Sequence, residues 1–450
     1  MNESRETIAA IATAAGAAGV SVVRVSGPGS FRVADRLLPP GVRSISRRQT
    51  GSFFHTHVRH PETGETVDDA VVLVFRAPHS YTGEDSVELQ GHGGTVPSRR
   101  LLDAVLAAGA RLAGPGEFTR RAFLNGKLDL TQAEAVADFI AAKSDAAAGV
   151  ARAQLDGSLG DFLGGIYDEL LSLSADAEHA LDFSEDELPD GWLRERAGNA
   201  ETLAVKLRRK VDSWREGRVL AEGALVVLSG KPNAGKSSLM NALLGTRRSI
   251  VNERPGTTRD AIEESLSIHG VTVRLVDTAG LREVDDEIEA EGVALARSFV
   301  ERADLNLRLV DPFVSGSVEK EPSEANVKTL TVWTKADLGT PHSVKPPDVF
   351  AVSARTGQGI EELKEAIIRA VGVDPERFDQ PIVSLRQREE LKEAASAAQD
   401  AAGHLRFGAD RLVLAASRLR VATEAIGRIL GRTYTEDLLD RVFSRFCVGK

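Results

Sequence analysis

The sequence has only one cysteine, Cys447. No intrachain disulfide can form, a cysteine-built zinc site is excluded, and a reducing, cytoplasmic setting is expected. Nowhere is there an apolar run of the roughly 18 residues that a transmembrane helix needs, so no membrane contact is expected. The first residues carry Glu3, Glu6 and an Ala/Gly stretch in place of a basic region followed by leucines, so no secretory leader is expected. Positive charge is not in excess either: 56 basic against 66 acidic residues give a net charge of -10. That balance argues against a generally basic surface that captures nucleic acid through phosphates alone, so any RNA contact must be local or shared with a partner. No internal repeat or low-complexity tract stands out.

What is present is a chain of 450 residues, 42% apolar and 27% charged, which predicts about three domains with real cores. Residues 1–120 mix short β-like runs, at 20–25 and 70–75, with turn clusters and a helical stretch around 101–110, reading as a small α+β domain. From Leu130 the period becomes helical, with Thr131 and Glu134 as an expected capping box and Val136, Ile140, Val150, Leu155, Leu159, Phe162 and Ile166 at helical spacing. An apolar run at 224–228 opens an alternation of β-like and helical segments that lasts to about 371, the pattern of a doubly wound domain. From 385 the chain is helical again, with Leu391, Ala395, Leu405, Leu412, Leu419, Ile426 and Leu430 as expected core positions. The expected fold class is multidomain α/β: a small α+β domain over 1–120, a long-helix domain split between 121–218 and 376–450, and a doubly wound P-loop domain inserted at 219–375.

Gly230-Lys231-Pro232-Asn233-Ala234-Gly235-Lys236-Ser237 matches the P-loop pattern in full, after an apolar strand and before a helical run. Glycines let backbone N–H groups wrap phosphates, Lys236 supplies a point charge, and Ser237 offers a hydroxyl to Mg²⁺. Gly256-Thr257-Thr258-Arg259-Asp260 follows, with a threonine hydroxyl for the Mg²⁺ shell, a weak signal alone. Two β-like runs flank His269-Gly270 as a hairpin, and the second enters Asp277-Thr278-Ala279-Gly280, suited to hold an Mg²⁺ water and sense a terminal phosphate. Thr334-Lys335-Ala336-Asp337 resembles the guanine-reading Asn-Lys-x-Asp of GTPases, with threonine in place of asparagine, and Ser353-Ala354-Arg355 comes after the next β-like stretch. Asp337 would accept the N1–H and N2–H of guanine, a pattern adenine lacks.

These motifs fit many translation and ribosome-assembly GTPases, switches with no modification chemistry, equally well. Longer strings are more specific: Ser80-Tyr81-Thr82-Gly83-Glu84-Asp85, Glu88-Leu89-Gln90-Gly91-His92-Gly93-Gly94, Pro115-Gly116-Glu117-Phe118-Thr119, residues 121–130 with Gln132-Ala133-Glu134-Ala135, and the closing Phe446-Cys447-Val448-Gly449-Lys450. On these strings the chain resembles, over essentially its full length, the bacterial tRNA-modification GTPase family known as MnmE or TrmE. The family's Thr-Pro-Pro-Gly-x-Gly is replaced here by Thr13-Ala14-Ala15-Gly16-Ala17-Ala18-Gly19.

The resemblance implies a tetrahydrofolate-binding, dimerising N-terminal domain. Its folate contacts, to 5-formyl- or 5,10-methylene-tetrahydrofolate, map onto Arg24, Glu88, Lys127 and Lys450. It implies nucleotide contacts from Asn233, Ala234, Gly235, Lys236, Ser237, Ser238, Thr257, Thr258, Asp277, Thr278, Ala279, Gly280, Thr334, Lys335, Asp337, Ser353, Ala354 and Arg355. Mg²⁺ would sit on Ser237 and Thr258, and K⁺ on Asn233, Asn252, Arg254 and Thr257. Leu281 stands where many GTPases place a glutamine that orients water, and the resemblance assigns that work to Glu289, acting through water. It also implies a homodimer working with a flavin-dependent partner of the MnmG or GidA type to install an aminomethyl or carboxymethylaminomethyl group on carbon 5 of the wobble uridine of certain tRNAs. Cys447 lies in the closing motif, but a lone cysteine is often a small buried apolar residue, so it is not counted as catalytic. A stand-alone folate-dependent transferase with a purely regulatory G domain is a third reading, which needs no flavoprotein.

Overall fold

A computed structural model of the chain describes residues 6–182, 188–245, 263–277, 299, 301–314, 327–339, 349–373 and 382–450. It divides into two compact units. One draws on Met1–Ala137, Gln154–Ser172 and Thr423–Lys450, the other on Asp138–Ala153 and Leu173–Ala422.

The first unit is built on a six-stranded sheet in the order β3-β4-β5-β2-β1-β6. Its strands are β1 (Ile8–Ile11), β2 (Val20–Ser26), β3 (Phe53–Arg59), β4 (Thr66–Phe75), β5 (Ser86–His92) and β6 (Arg111–Leu112). All neighbours are antiparallel except β1 and β6. On β2 the apolar Val23 and Val25 turn into the core, while Arg24 between them faces the other side, as a period of two demands. Val72, Val74, Val87, Leu89, Leu101 and Val105 complete that core, the last two from the helix Thr95–Ala107, which begins six residues before the expected helical stretch.

The helix Leu130–Ala141 corrects the expected cap. Asp129, not Thr131, is the N-cap: its Oδ1 accepts the Gln132 N–H at 2.8 Å while Gln132 Oε1 accepts the Asp129 N–H at 3.0 Å. The reciprocal pair is therefore Asp129 with Gln132, two residues upstream of Thr131 and Glu134, because the aspartate outcompetes a threonine that already donates to it at 2.6 Å.

In the second unit a six-stranded sheet runs β12-β11-β10-β7-β9-β8. Its strands are β7 (Ala224–Ser229), β8 (Glu263–Ile268), β9 (Val271–Asp277), β10 (Leu305–Val310), β11 (Thr329–Trp333) and β12 (Val349–Ala351). All pairs are parallel except β8 with β9, a hairpin whose turn residues His269 and Gly270 have φ of 48° and 80°, the type I′ signature. β7 lies inside the sheet and is buried at its first five positions, as a continuous apolar strand of a covered parallel sheet must be.

The long helices Trp192–Asp212 and Leu385–Phe407 also belong to this unit. The second buries Ala394, Ala395, Ala397, Ala398, Ala401 and Ala402, small side chains that let a helix approach its neighbours closely. The expected core positions from Leu391 to Leu430 are all buried. Ile140 and Phe162, which share the helical spacing of the earlier segment, are 52% and 37% exposed. No helix among the described residues is long and apolar enough to cross a membrane.

Candidate functional site

β7 ends in Ser229, and the loop that follows leads into the helix Lys236–Leu244. Gly230 sits at φ 147°, and a Cβ there would lie 2.5 Å from the Leu309 carbonyl oxygen, so only glycine lets the loop leave the sheet this way. Asn233 adopts φ 63° and Gly235 φ 89°, a curled backbone that turns N–H groups inward. Lys236 is almost fully buried, and its Nζ donates to the Gly230 and Lys231 carbonyls at 2.9 and 3.1 Å, which centres the ammonium in the loop. Parallel register sets Leu228 beside Asp277, and Ser237 Oγ donates to Asp277 Oδ2 at 2.8 Å. Two hard oxygen donors thus stand together next to the phosphate loop, a set suited to Mg²⁺.

Across the sheet, a cavity of about 260 Å³ is lined by Gly235, Ser238, Thr334, Lys335, Asp337 and Ala354, with Leu239 and Val352 as apolar walls. Asp337 Oδ1 accepts the Ser353 hydroxyl at 2.7 Å. That bond is the main reason the Asp337 carboxyl lies below its ordinary range, with its own backbone N–H and Arg355 adding to it and burial opposing. Lys335, at φ 59°, places Nζ 2.6 Å from Asp311 Oδ2 at the end of β10. Thr334 is buried, donates its N–H to the Val310 carbonyl, and lies 3.6 Å from where a Gly235 Cβ would be, so it packs under the phosphate loop.

The first unit holds a second constellation. β2 pairs with β5 so that Arg24 faces Glu88, and Nε donates to Oε1 at 2.9 Å with both side chains mostly buried. The Arg24 guanidinium lies 5.3 Å from the Tyr81 ring centre and 5.7 Å from that of Phe118. The closing residues thread into this unit: Pro115 bridges Val448, the Phe118 N–H donates to the Lys450 carbonyl at 3.2 Å, and a Cβ on Gly449 would meet the Ile11 carbonyl at 2.3 Å. Burial first, and then the nearby Arg24, lower the Lys450 ammonium from its ordinary value, while Glu88 raises it. Burial likewise raises the Tyr81 phenol, against a Thr119 hydrogen bond at 2.9 Å and the charge of Arg24.

Arg24 and Glu88 pair directly, and Lys450 lies near enough to feel the charge of both, although the three are far apart in sequence. Lys127 is tied instead to the loop that carries Tyr81, through Nζ to the Pro78 carbonyl at 3.1 Å. The structure also gathers Asn233, Ala234, Gly235, Lys236, Ser237, Ser238 and Asp277 around the phosphate loop, and Thr334, Lys335, Asp337, Ser353, Ala354 and Arg355 beside it, with Gly235 and Ser238 shared by the cavity between them. Asn252, Arg254, Thr257, Thr258, Thr278, Ala279, Gly280 and Glu289 lie outside the described residues. Cys447 is exposed, contrary to a buried apolar role. Three functional neighbours escaped the sequence reading. Tyr81 and Phe118 lie inside the most specific strings, and Asp311 directly follows an apolar strand, where doubly wound sheets place ligand-facing groups.

Comparison with known proteins agrees with both halves. The family described as the GTP-binding protein TrmE N-terminus matches residues 7–127, and the MnmE helical domain matches residues 130–447. A tRNA modification GTPase MnmE of Symbiobacterium thermophilum is 43% identical over 99% of both chains. Proteins of the same name from Syntrophus aciditrophicus and Xanthomonas campestris pv. campestris are 41% and 42% identical, covering 99% and 100% of this chain and the whole of their own. With one family spanning its N-terminal sheet and another its helices and P-loop domain, the chain belongs to the MnmE family of tRNA modification GTPases.

Proposed function

We propose that this protein is a potassium-activated GTPase that, as a homodimer and with a flavin-dependent partner, builds an aminomethyl or carboxymethylaminomethyl group on carbon 5 of the wobble uridine of certain tRNAs. The one-carbon unit would come from 5-formyl- or 5,10-methylene-tetrahydrofolate. The observation that carries the reading is the Arg24–Glu88 pair, flanked by two rings and the terminal Lys450, in the same chain as a complete phosphate loop. A flat heterocycle with N–H donors suits an aromatic wall and a carboxylate, and the anionic tail of a folate suits Lys127 and Lys450.

On the nucleotide side, Lys236 holds the terminal phosphates, Ser237 and Thr258 hold Mg²⁺, and Asn233, Asn252, Arg254 and Thr257 hold K⁺. When bound, the two cations supply positive charge to the phosphate oxygens where negative charge develops. Glu289 orients the attacking water, since Leu281 has no hydrogen-bonding group. Asp337, fixed by Ser353, reads guanine.

The test is a reconstituted reaction of chain, flavoprotein, folate, GTP and unmodified tRNA in K⁺ or Na⁺. Modified uridine should require every component. Na⁺ should slow hydrolysis strongly, Asn233→Ala should remove most of the K⁺ effect, and Glu289→Ala should lower kcat with little change in GTP binding. Equal hydrolysis in both salts, or modification without folate, contradicts the reading.

A further inference from the structure

The net charge of -10 makes a cluster of like positive charge conspicuous, and the first unit carries one. Arg43, Arg47 and Arg48 lie on the chain just before β3, and Arg76 directly after β4, the strand that pairs with it. Arg24, Arg100, Arg111, Arg120 and Arg121 each face a carboxylate in this unit. Like Arg32, Arg36, Arg59 and Arg99 of this unit, Arg43, Arg47, Arg48 and Arg76 lack an ion pair among the described residues; what distinguishes these last four is that they cluster.

Backbone carbonyls and rings hold Arg43, Arg48 and Arg76 in place, and Arg47 is exposed beside them. Arg76 donates through Nε to the Arg48 carbonyl at 2.9 Å and through Nη2 to the Ser46 carbonyl, with Cζ 5.0 Å from the Phe31 ring centre. Arg48 stacks 3.4 Å over Phe54 and donates to the Arg43 carbonyl, and Arg43 Nη2 donates to the Arg47 carbonyl at 2.7 Å. Asp35 is the carboxylate that faces this loop; it accepts the Ile45 N–H and the Ser44 hydroxyl at 2.6 Å, and its charge offsets part of that of Arg48. Asp85 accepts the Ala77 N–H through Oδ1 at 2.9 Å.

Burial first, and then the neighbouring Arg43, lower the Arg48 guanidinium from its ordinary value, while Asp35 raises it. An ordinary solvated face interleaves both signs, as Lys364 with Glu361 and Lys392 with Glu389 do elsewhere in this chain. Here four arginines are gathered on one loop and the strand end beside it, and the guanidiniums of Arg43, Arg48 and Arg76 are pre-ordered.

We propose that Arg43, Arg47, Arg48 and Arg76 form a docking face for the phosphodiester backbone of substrate RNA. A guanidinium offers phosphate a planar fork of donors, and a cluster of them can track a phosphodiester backbone. An all-arginine array held largely by carbonyls fits this better than an anionic membrane, which is met by flexible lysine-rich segments. The loop runs on from Arg76 to Pro78, whose carbonyl anchors Lys127, so RNA held here lies next in chain to the proposed folate site. The inference rests on tRNA being the substrate.

The test titrates fluorescein-labelled bulk tRNA, taken from cells lacking this protein, with full-length chain. It compares wild type with the double variant Arg43→Glu/Arg47→Glu, whose two positions are exposed. The variant should bind at least about tenfold more weakly at low salt. Each lost phosphate contact should flatten the slope of log affinity against log salt by roughly 0.7–0.9. Arg43→Lys/Arg47→Lys should recover most of the affinity. In the reconstituted reaction the KM for tRNA should rise with kcat unchanged, while basal GTP hydrolysis and 5-formyl-tetrahydrofolate binding stay as in wild type. Unchanged affinity and KM in the glutamate variant overturn the proposal, as does loss of binding to phosphatidylserine vesicles with RNA binding intact. If wild type itself makes no modified uridine, the reading of the reaction fails, while the RNA titration still judges this face.

Discussion

A carboxylate that reads a base must be aimed before the base arrives, and at Asp337, proposed above to read guanine, one neighbour supplies the aim. The Ser353 hydroxyl fixes Oδ1 and stabilises the charged form. Asp337→Asn should weaken GTP by roughly a hundredfold, the loss of two charge-assisted hydrogen bonds, and improve xanthosine triphosphate, whose N2 amino group is replaced by a carbonyl. Competition between the two nucleotides measures this directly, and no change in preference rejects the assignment.

Glu117 makes a second residue-scale case. Burial would raise its carboxyl, but Arg111, the Gly114 N–H and Arg121 outweigh burial and hold it at about 2, below its ordinary 4.5. A carboxylate depressed in this way stabilises the fold fully above about pH 4.5, and the contribution disappears as pH falls toward 2. Glu117→Gln should therefore cost about 1–2 kcal/mol at neutral pH after allowance for solvent screening, with the difference fading in acid. Denaturant melts at pH 7 and pH 3 compare the two.

At the scale of elements, the closing residues behave as a short strap. Gly449 adopts φ 103° and lies against the Ile11 carbonyl, which lets Lys450 fall beside the Arg24–Glu88 pair. Gly449→Ala should displace the strap and weaken folate binding at least tenfold, while GTP hydrolysis stays near wild type, because the phosphate loop belongs to the other unit. Equal loss of both activities argues against separate sites.

The same scale shows what a sequence makes legible. The phosphate loop is contiguous, and its strand, glycines and helix announce themselves within fifteen residues or so. The His269-Gly270 turn is equally local. By contrast, Arg24 and Glu88 are 64 residues apart, and strand register alone brings them together, so without the family strings each reads as an ordinary surface charge. The position of Asp311 after an apolar strand marks it as ligand-facing, but its pairing with Lys335 follows only from β10 and β11 being neighbours. The capping box was misread because Thr131 and Asp129 both fit the N-cap preference, and only the observed hydrogen bonds choose between them.

At the scale of the whole molecule, the account joins a GTP-hydrolysing unit to a unit that gathers Arg24, Glu88 and Lys450, and makes both necessary for tRNA modification. The family's long strings made that joining legible, since four GTPase motifs alone fit translation and ribosome-assembly switches as well. The most direct test is nucleoside analysis of bulk tRNA from cells whose own copy is replaced by wild type, by a chain lacking residues 446–450, or by Lys236→Ala. The account predicts that both altered chains lose the modified wobble uridine, and that only Lys236→Ala also loses GTP hydrolysis. Intact wobble nucleosides in cells that lack the protein altogether, or in cells carrying either altered chain, contradict it.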